Sequence, residues 1–274
     1  MKVLISVDME GVADITSVEQ TRRNTLEFPR SCELMTQEAN AACEAAIKAG
    51  ASEVIVNDSH GDMRNIEHEM LPPTVLLIRG STKPLSMVQG GDSGVDAAFF
   101  VGYHAAANTA NGILDHTYLG AQANEVLLNG EPCSEGRLNA ALLGRWNVPV
   151  VFLSGDRTAC TDAKRFMPWI ETVSVKEALG RSSAISMSPA RAREAISVGV
   201  TRALELFKAG RMETYRPKPP FTIRIRLMNS EKADVACTMP DVVRIDGTSV
   251  EYASDDIVRI FNGAVTIMRL ASTV

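Results

Sequence analysis

Asp8 and Glu10 stand two residues apart in the segment Ser6-Val7-Asp8-Met9-Glu10-Gly11. In extended backbone, side chains at i and i+2 project to the same side, so both carboxylates can face one cation. Gly11 lets the chain turn closely around such a site. Taken alone, an Asp-x-Glu pair is more often a solvated acidic turn. The histidines narrow the choice, because the chain has only four. His60 follows Asn57-Asp58-Ser59, and His104 follows an apolar run through Gly102-Tyr103. Singly, each reads as a polar turn or a core or capping histidine. Together, beside Asp8 and Glu10, they point to a divalent metal, whose usual ligands are imidazole and carboxylate. His68, in Ile66-Glu67-His68-Glu69-Met70, reads as an exposed residue outside the site.

Other residues carry weaker signals. Glu135 sits in the first turn of a helix begun by Ser134, where any acid favours the helix dipole. His116 lies in the loop Gly112-Ile113-Leu114-Asp115-His116-Thr117, and nothing nearby in sequence identifies its partner. Cys133 has no activating base beside it and reads as a small buried hydrophobe. Gly90-Gly91 lacks the Gly-Lys-Ser/Thr ending of a phosphate loop. Arg22 and Arg23 read as solvated loop charges that can line an opening.

The metal-ligand candidates fall at the ends of apolar runs, and those runs define the fold. Val3 to Val7, Glu53 to Asn57, Thr74 to Ile78, Ala97 to Val101 and Val148 to Leu153 read as buried strands. Helices are expected from Glu33 to Ala49, before Gly50, and from Ser134 to Leu143, before Gly144. Strands apolar on both faces and separated by helices indicate a doubly wound, mostly parallel α/β sheet covered on both sides. In such sheets, ligands bind beyond the carboxyl ends of the strands. Three expected strands thus bring a possible ligand to one edge. Further on, Ser188-Pro189 opens a helix running to Ala209. Phe221, Ile223, Ile225 and Leu227 alternate with polar residues, as in a strand with one wet face. Ser254-Asp255-Asp256 opens a final helix. This change of character predicts a catalytic α/β lobe over residues 1–178 and a smaller α+β lobe over 179–274.

The whole-chain figures exclude several classes of protein. At 274 residues, 45% hydrophobic and 22% charged, the composition is that of a globular chain rather than a disordered one, a collagen-like fibre or a membrane bundle. The net charge of −5 and 5% aromatic content disfavour a nucleic-acid partner, which calls for a basic face. No apolar run approaches the ~20 residues of a membrane helix, so no membrane association is expected. Five scattered cysteines, none at Cys-x-x-Cys spacing, predict free thiols and a cytoplasmic location.

The chain resembles the dinuclear zinc D-aminopeptidases encoded in bacterial dipeptide-transport operons. The resemblance is carried by Ser6-Val7-Asp8-Met9-Glu10-Gly11, Val56-Asn57-Asp58-Ser59-His60, Gly102-Tyr103-His104-Ala105, and Glu135 with Leu138-Asn139-Ala140. It continues at Gly155-Asp156 and from Val175-Lys176 to Ser188-Pro189, and is weakest after about residue 215. It implies two Zn²⁺ per subunit, bridged by Asp8. Glu10 and His60 would complete one zinc site, and His104 and Glu135 the other. It identifies His116 as a further catalytic histidine and implies short peptide substrates. It also implies a closed homo-oligomer, a decameric ring.

The chemistry is self-consistent. Three carboxylates and two neutral imidazoles repel one another when empty, whereas two divalent cations leave the cluster near neutrality once a hydroxide binds. The nitrogen and oxygen donors also admit Mn²⁺ or Co²⁺. Two other readings compete: a metal-dependent phosphohydrolase, and a non-catalytic oligomer stabilised by its metal.

Overall fold

Val3, Leu4, Ile5 and Val7 are fully buried, which explains why the N-terminal run forms the middle of a sheet rather than an edge. The computed structural model describes residues 1–274. The elements in chain order are β1 (Lys2–Val7), α1 (Val18–Thr21), α2 (Phe28–Lys48), β2 (Glu53–Asp58), β3 (Leu76–Ile78), β4 (Ala97–Tyr103), β5 (Ala123–Leu128), β6 (Glu131–Pro132) and α3 (Glu135–Gly144). They continue as β7 (Val150–Asp156), α4 (Arg157–Phe166), β8 (Glu171–Gly180), β9 (Ser183–Ser186), α5 (Pro189–Lys208), β10 (Phe221–Leu227), α6 (Ser230–Ala236), β11 (Val243–Arg244), β12 (Ser249–Ser254) and α7 (Ile257–Ala271).

The first sheet has the order β3-β2-β1-β4-β7-β8-β9 and is parallel except at β9. The register pairs Val7 with Asp58 on one side and with Val101 on the other. Asp8, His60 and His104 therefore leave neighbouring strands at the same edge, as the apolar runs predict. Successive side chains alternate between two cores. Val3, Ile5 and Val7 join the core beneath α2 and α5, while Leu4 joins Phe100 and Leu143 on the other side.

The second sheet, of order β11-β12-β10-β5-β6, is antiparallel. β10 buries Phe221, Ile223, Ile225 and Leu227, and α7 packs on it with Ile260, Phe261, Ile267 and Met268. The two sheets share one hydrophobic core. No helix is long and apolar enough to cross a membrane.

Several boundaries depart from expectation. α2 starts at Phe28 rather than Glu33, because Pro29 is pre-set for a first helical turn. α4, capped by Asp156, has only the small residues Ala159, Cys160 and Ala163 on its buried face, too little apolar signal to read locally. The expected division near residue 178 falls inside β8. The layers exchange segments instead: β5 and β6 pair with the C-terminal strands, while β8, β9 and α5 complete the first layer. Long-range pairing of this kind leaves no local mark in sequence.

Candidate metal centre

The edge of the parallel sheet is tied together before any ligand is considered. Ser6 Oγ lies 2.8 Å from Ser59 Oγ and 2.7 Å from the Tyr103 hydroxyl, linking the ends of β1, β2 and β4. Gly11 N–H donates to the Gly102 carbonyl at 2.8 Å. A Cβ on Gly11 would sit 2.0 Å from the Tyr103 carbonyl oxygen, and one on Gly102, whose φ is +72°, 2.2 Å from the Asp8 carbonyl oxygen. Only glycine permits these two turns to approach so closely.

Six side chains named from sequence meet here. Asp8 lies between two imidazoles, with Oδ1 3.5 Å from His60 Nδ1 and Oδ2 3.3 Å from His104 Nε2. Glu10 Oε2 is 2.9 Å from His60 Nδ1. Glu135 Oε1 is 3.5 Å from His104 Nε2 and 3.6 Å from His116 Nε2, and it accepts the Tyr118 N–H at 2.7 Å. The rings of His104 and His116 stack at 4.2 Å and 6°. Asp8, Glu10, His60, His104 and Glu135 are buried, and His116 is partly exposed.

The second nitrogen of each ring is engaged by backbone. His60 Nε2 donates to the Thr21 carbonyl at 2.9 Å, His104 Nδ1 to the Ala105 carbonyl at 2.9 Å, and His116 Nδ1 to the Leu114 carbonyl at 2.8 Å. A carbonyl only accepts, so each of these nitrogens carries a proton. In the neutral ring, the opposite nitrogen then presents its lone pair to carboxylate oxygens. That arrangement is repulsive unless a proton or a metal ion lies between. His104 Nε2 is buried with no hydrogen-bond partner at all.

The electrostatics without a cation carry the same message. Burial would lower the pKa of His60, but Glu10 and Asp8 outweigh it and raise it well above the ordinary histidine value. His104 is raised well above that value in the same way, burial being overcome by Glu135 and Asp8. Burial and the charge of Glu10 push Asp8 up. Glu10 and Glu135 are held low, against burial, by His60 and His104 respectively. The site thus requires positive charge, and its oxygen and nitrogen donors fit divalent metal ions. The ligand atoms of Asp8, Glu10 and His104 lie within 4.8 Å of one another, as do those of His104, His116 and Glu135. The two groups share His104, one of them includes His116, and neither includes His60.

Asp8, Glu10, His60, His116 and Glu135 line a cavity of about 430 Å³, whereas His104 is buried and is not among its lining residues. A larger cleft of about 730 Å³ beside Ala105–Asn111 contains none of the six. His68 points elsewhere, with Nε2 donating to the Val75 carbonyl. Cys133 is buried, and burial pushes its thiol up to about 12, so it is an inert hydrophobe. Arg23 pairs with Asp62 on the surface at 2.8 Å.

The supporting residues around the site were given no role from sequence. Asp58 accepts the N–H groups of Asn65 and Ile66 and shapes the loop after His60. Asp156 accepts the Ala105 N–H beside His104. Lys176 and Glu38, both buried, hold the loop that carries Glu10. In β8 only Val175 and Lys176 are buried, the rest of the strand being partly or fully exposed.

Comparison with known proteins agrees with this geometry. The family model Peptidase_M55, described as D-aminopeptidase, matches residues 1–265. A D-aminopeptidase of Bacillus subtilis (strain 168) is 33% identical over 275 residues, covering 99% of this chain and 98% of that protein. The solved structure of the Zn-dependent D-aminopeptidase DppA from Bacillus subtilis, described as a self-compartmentalizing protease, superposes with a TM-score of 0.95. It is 31% identical and covers 100% of this chain and 99% of that one. The α/β chain described here belongs to the D-aminopeptidase family, and is a metallo-aminopeptidase.

Proposed function

We propose that the protein removes N-terminal D-amino acids from short peptides, using two zinc ions held by Asp8, Glu10, His60, His104 and Glu135. The observation that carries the reading is the orientation of the rings: backbone carbonyls take one nitrogen of each, and the other faces a carboxylate. In this assignment Asp8 bridges, Glu10 and His60 complete one ion, and His104 and Glu135 complete the other. Mn²⁺ or Co²⁺ would suit the same donors. Zinc held by these residues would supply Lewis acidity toward water and the scissile carbonyl, and a partner for the substrate's free amine.

The chain's own residues do the rest. His116 Nδ1 is committed to Leu114, so Nε2 is the atom that takes and returns a proton. Glu135 Oε1 lies 3.6 Å from that nitrogen. Met63, Leu119, Val265 and Met268 supply an apolar wall for the side chain of the substrate. The phosphohydrolase and structural-metal readings are not favoured by the family.

We also propose a closed homo-oligomer, a decameric ring. Leu179 and Ile185 are 66% and 63% exposed on β8 and on the edge strand β9, apolar surface of the kind a neighbouring subunit covers. Five unpaired cysteines suit a cytoplasmic setting.

A panel of D- and L-aminoacyl dipeptides tests the function. The expected outcome is hydrolysis of the D-series, loss of activity with chelator and recovery with zinc. A preference for the L-series, or indifference to chelator, would overturn it. Elemental analysis should find two zinc ions per chain.

A further inference from the structure

The cavity at the metal centre is chemically two-sided. Asp8, Glu10 and Glu135 bring three carboxylates to it, while α7 contributes Val265, Met268 and Arg269. These three stand at i, i+3 and i+4, so they share one face of the helix. Arg269 is the only lysine or arginine among the lining residues. Its guanidinium forms no ion pair and donates no hydrogen bond, although three carboxylates line the same cavity. Arg269 is exposed, so only solvent competes for its guanidinium and it is free to pair with an anion that enters the cavity.

We propose that Arg269 binds the C-terminal carboxylate of the substrate and so restricts the enzyme to very short peptides with a free C-terminus. The inference rests on the aminopeptidase reading above. A substrate cleaved after its first residue puts its amine at the carboxylate-rich metal side. The opposite end of a di- or tripeptide is then an anion one or two residues away, roughly 3.5–7 Å further along an extended chain. The cavity of about 430 Å³ is large enough for a molecule of that size. Guanidinium matches a carboxylate with two parallel hydrogen bonds, a geometry that an amide or a continuing peptide cannot reproduce. The position of Arg269 in the last turn of α7 adds nothing against this role, since the helix dipole favours any cation there.

The test compares D-alanyl-D-alanine with D-alanyl-D-alanine amide, using zinc-loaded wild-type protein, Arg269→Gln and Arg269→Lys. For the wild type, kcat/KM for the acid should exceed that for the amide by about tenfold or more, with most of the difference in KM. Arg269→Gln should bring this ratio close to one, and Arg269→Lys should restore part of it. Thermal unfolding of the variants shows whether they are folded, and an exposed side chain is not expected to change it. An equal preference for acid and amide in the wild type, or an unchanged ratio in Arg269→Gln, would overturn the assignment. Cleavage of neither peptide by the zinc-loaded wild type would refute the D-aminopeptidase reading itself, and the role of Arg269 with it.

Discussion

Lys176 Nζ donates to the backbone carbonyl of Glu10 at 2.5 Å, although the two residues are 166 positions apart. The same ammonium donates to the carbonyls of Val12 and Ile15. Its three protons are thus used on one loop, and the lysine is only 2% exposed. The loop after β1 carries both Asp8 and Glu10, so a residue of β8 fixes the backbone from which Glu10 reaches the site.

Lys176→Met should therefore damage both the fold and the metal centre. Three buried carbonyls would lose their donor, at about 1–3 kcal/mol each. Loss of a supporting residue commonly lowers metal affinity by roughly 10–100-fold. Thermal unfolding and zinc content measured after dialysis against a weak chelator report the two effects separately. Unchanged zinc retention in a folded Lys176→Met protein would show that Glu10 needs no such tether.

Glu38 holds the same loop from α2 and gives a pH-dependent prediction. Its Oε1 accepts the Ala13 N–H at 2.9 Å, while Oε2 is buried without a partner. Burial pushes its carboxyl up to about 7 from the ordinary 4.5. The folded state then binds this proton more tightly than the unfolded state. Its stabilising contribution is complete below 4.5 and is lost as pH rises through about 7. The gap corresponds to on the order of 3 kcal/mol. Glu38→Gln keeps an acceptor for Ala13 without the charge, so it should gain stability relative to wild type between pH 5 and pH 8. Urea unfolding of both proteins at the two pH values measures the difference, and a constant offset would contradict it.

The sequence made part of this arrangement readable. Asp8, His60 and His104 lie at the ends of apolar runs, and parallel strands bring such ends to one edge whatever the loops do. Glu135 could not be distinguished from an acid serving a helix dipole, because that is also where it sits. His116 stood in a loop with no periodicity, and it reaches the site only because its backbone N–H and ring are held by Ala105 and Leu114. Lys176, Glu38 and Arg269 act across sequence separations that local pattern does not encode. The resemblance supplied the roles of Glu135 and His116. The pairing of β5 with β10, which brings α7 and Arg269 into the same layer as Gln122, was legible in neither.

Asp8→Ala should remove both ions. Each oxygen of Asp8 faces a different imidazole, at 3.5 and 3.3 Å, so the carboxylate is the link between the two halves of the site. Without it, His60 with Glu10 and His104 with Glu135 remain as separate pairs. The loss in affinity should exceed the roughly 10–100-fold typical of a supporting residue. Elemental analysis of the purified variant provides the measurement. Full retention of two zinc ions would exclude a bridging role.

His116→Ala separates a proton carrier from a ligand. Its Nε2 is 3.6 Å from Glu135 Oε1, only slightly further than His104 Nε2 at 3.5 Å, so distance alone does not divide the two roles. Exposure does: the His116 side chain is 20% exposed and borders the cavity, while His104 is 1% exposed and does not line it. A residue that exchanges protons with substrate must reach the cavity, whereas a ligand need not. The variant should keep its zinc and lose about 10²–10⁴-fold in kcat, the range expected when a general acid–base group is removed. The loss should appear in kcat more than in KM, because the group acts on the reacting atoms. If zinc leaves together with activity, His116 belongs to the ligand set with His104 and Glu135, and another residue must move the proton.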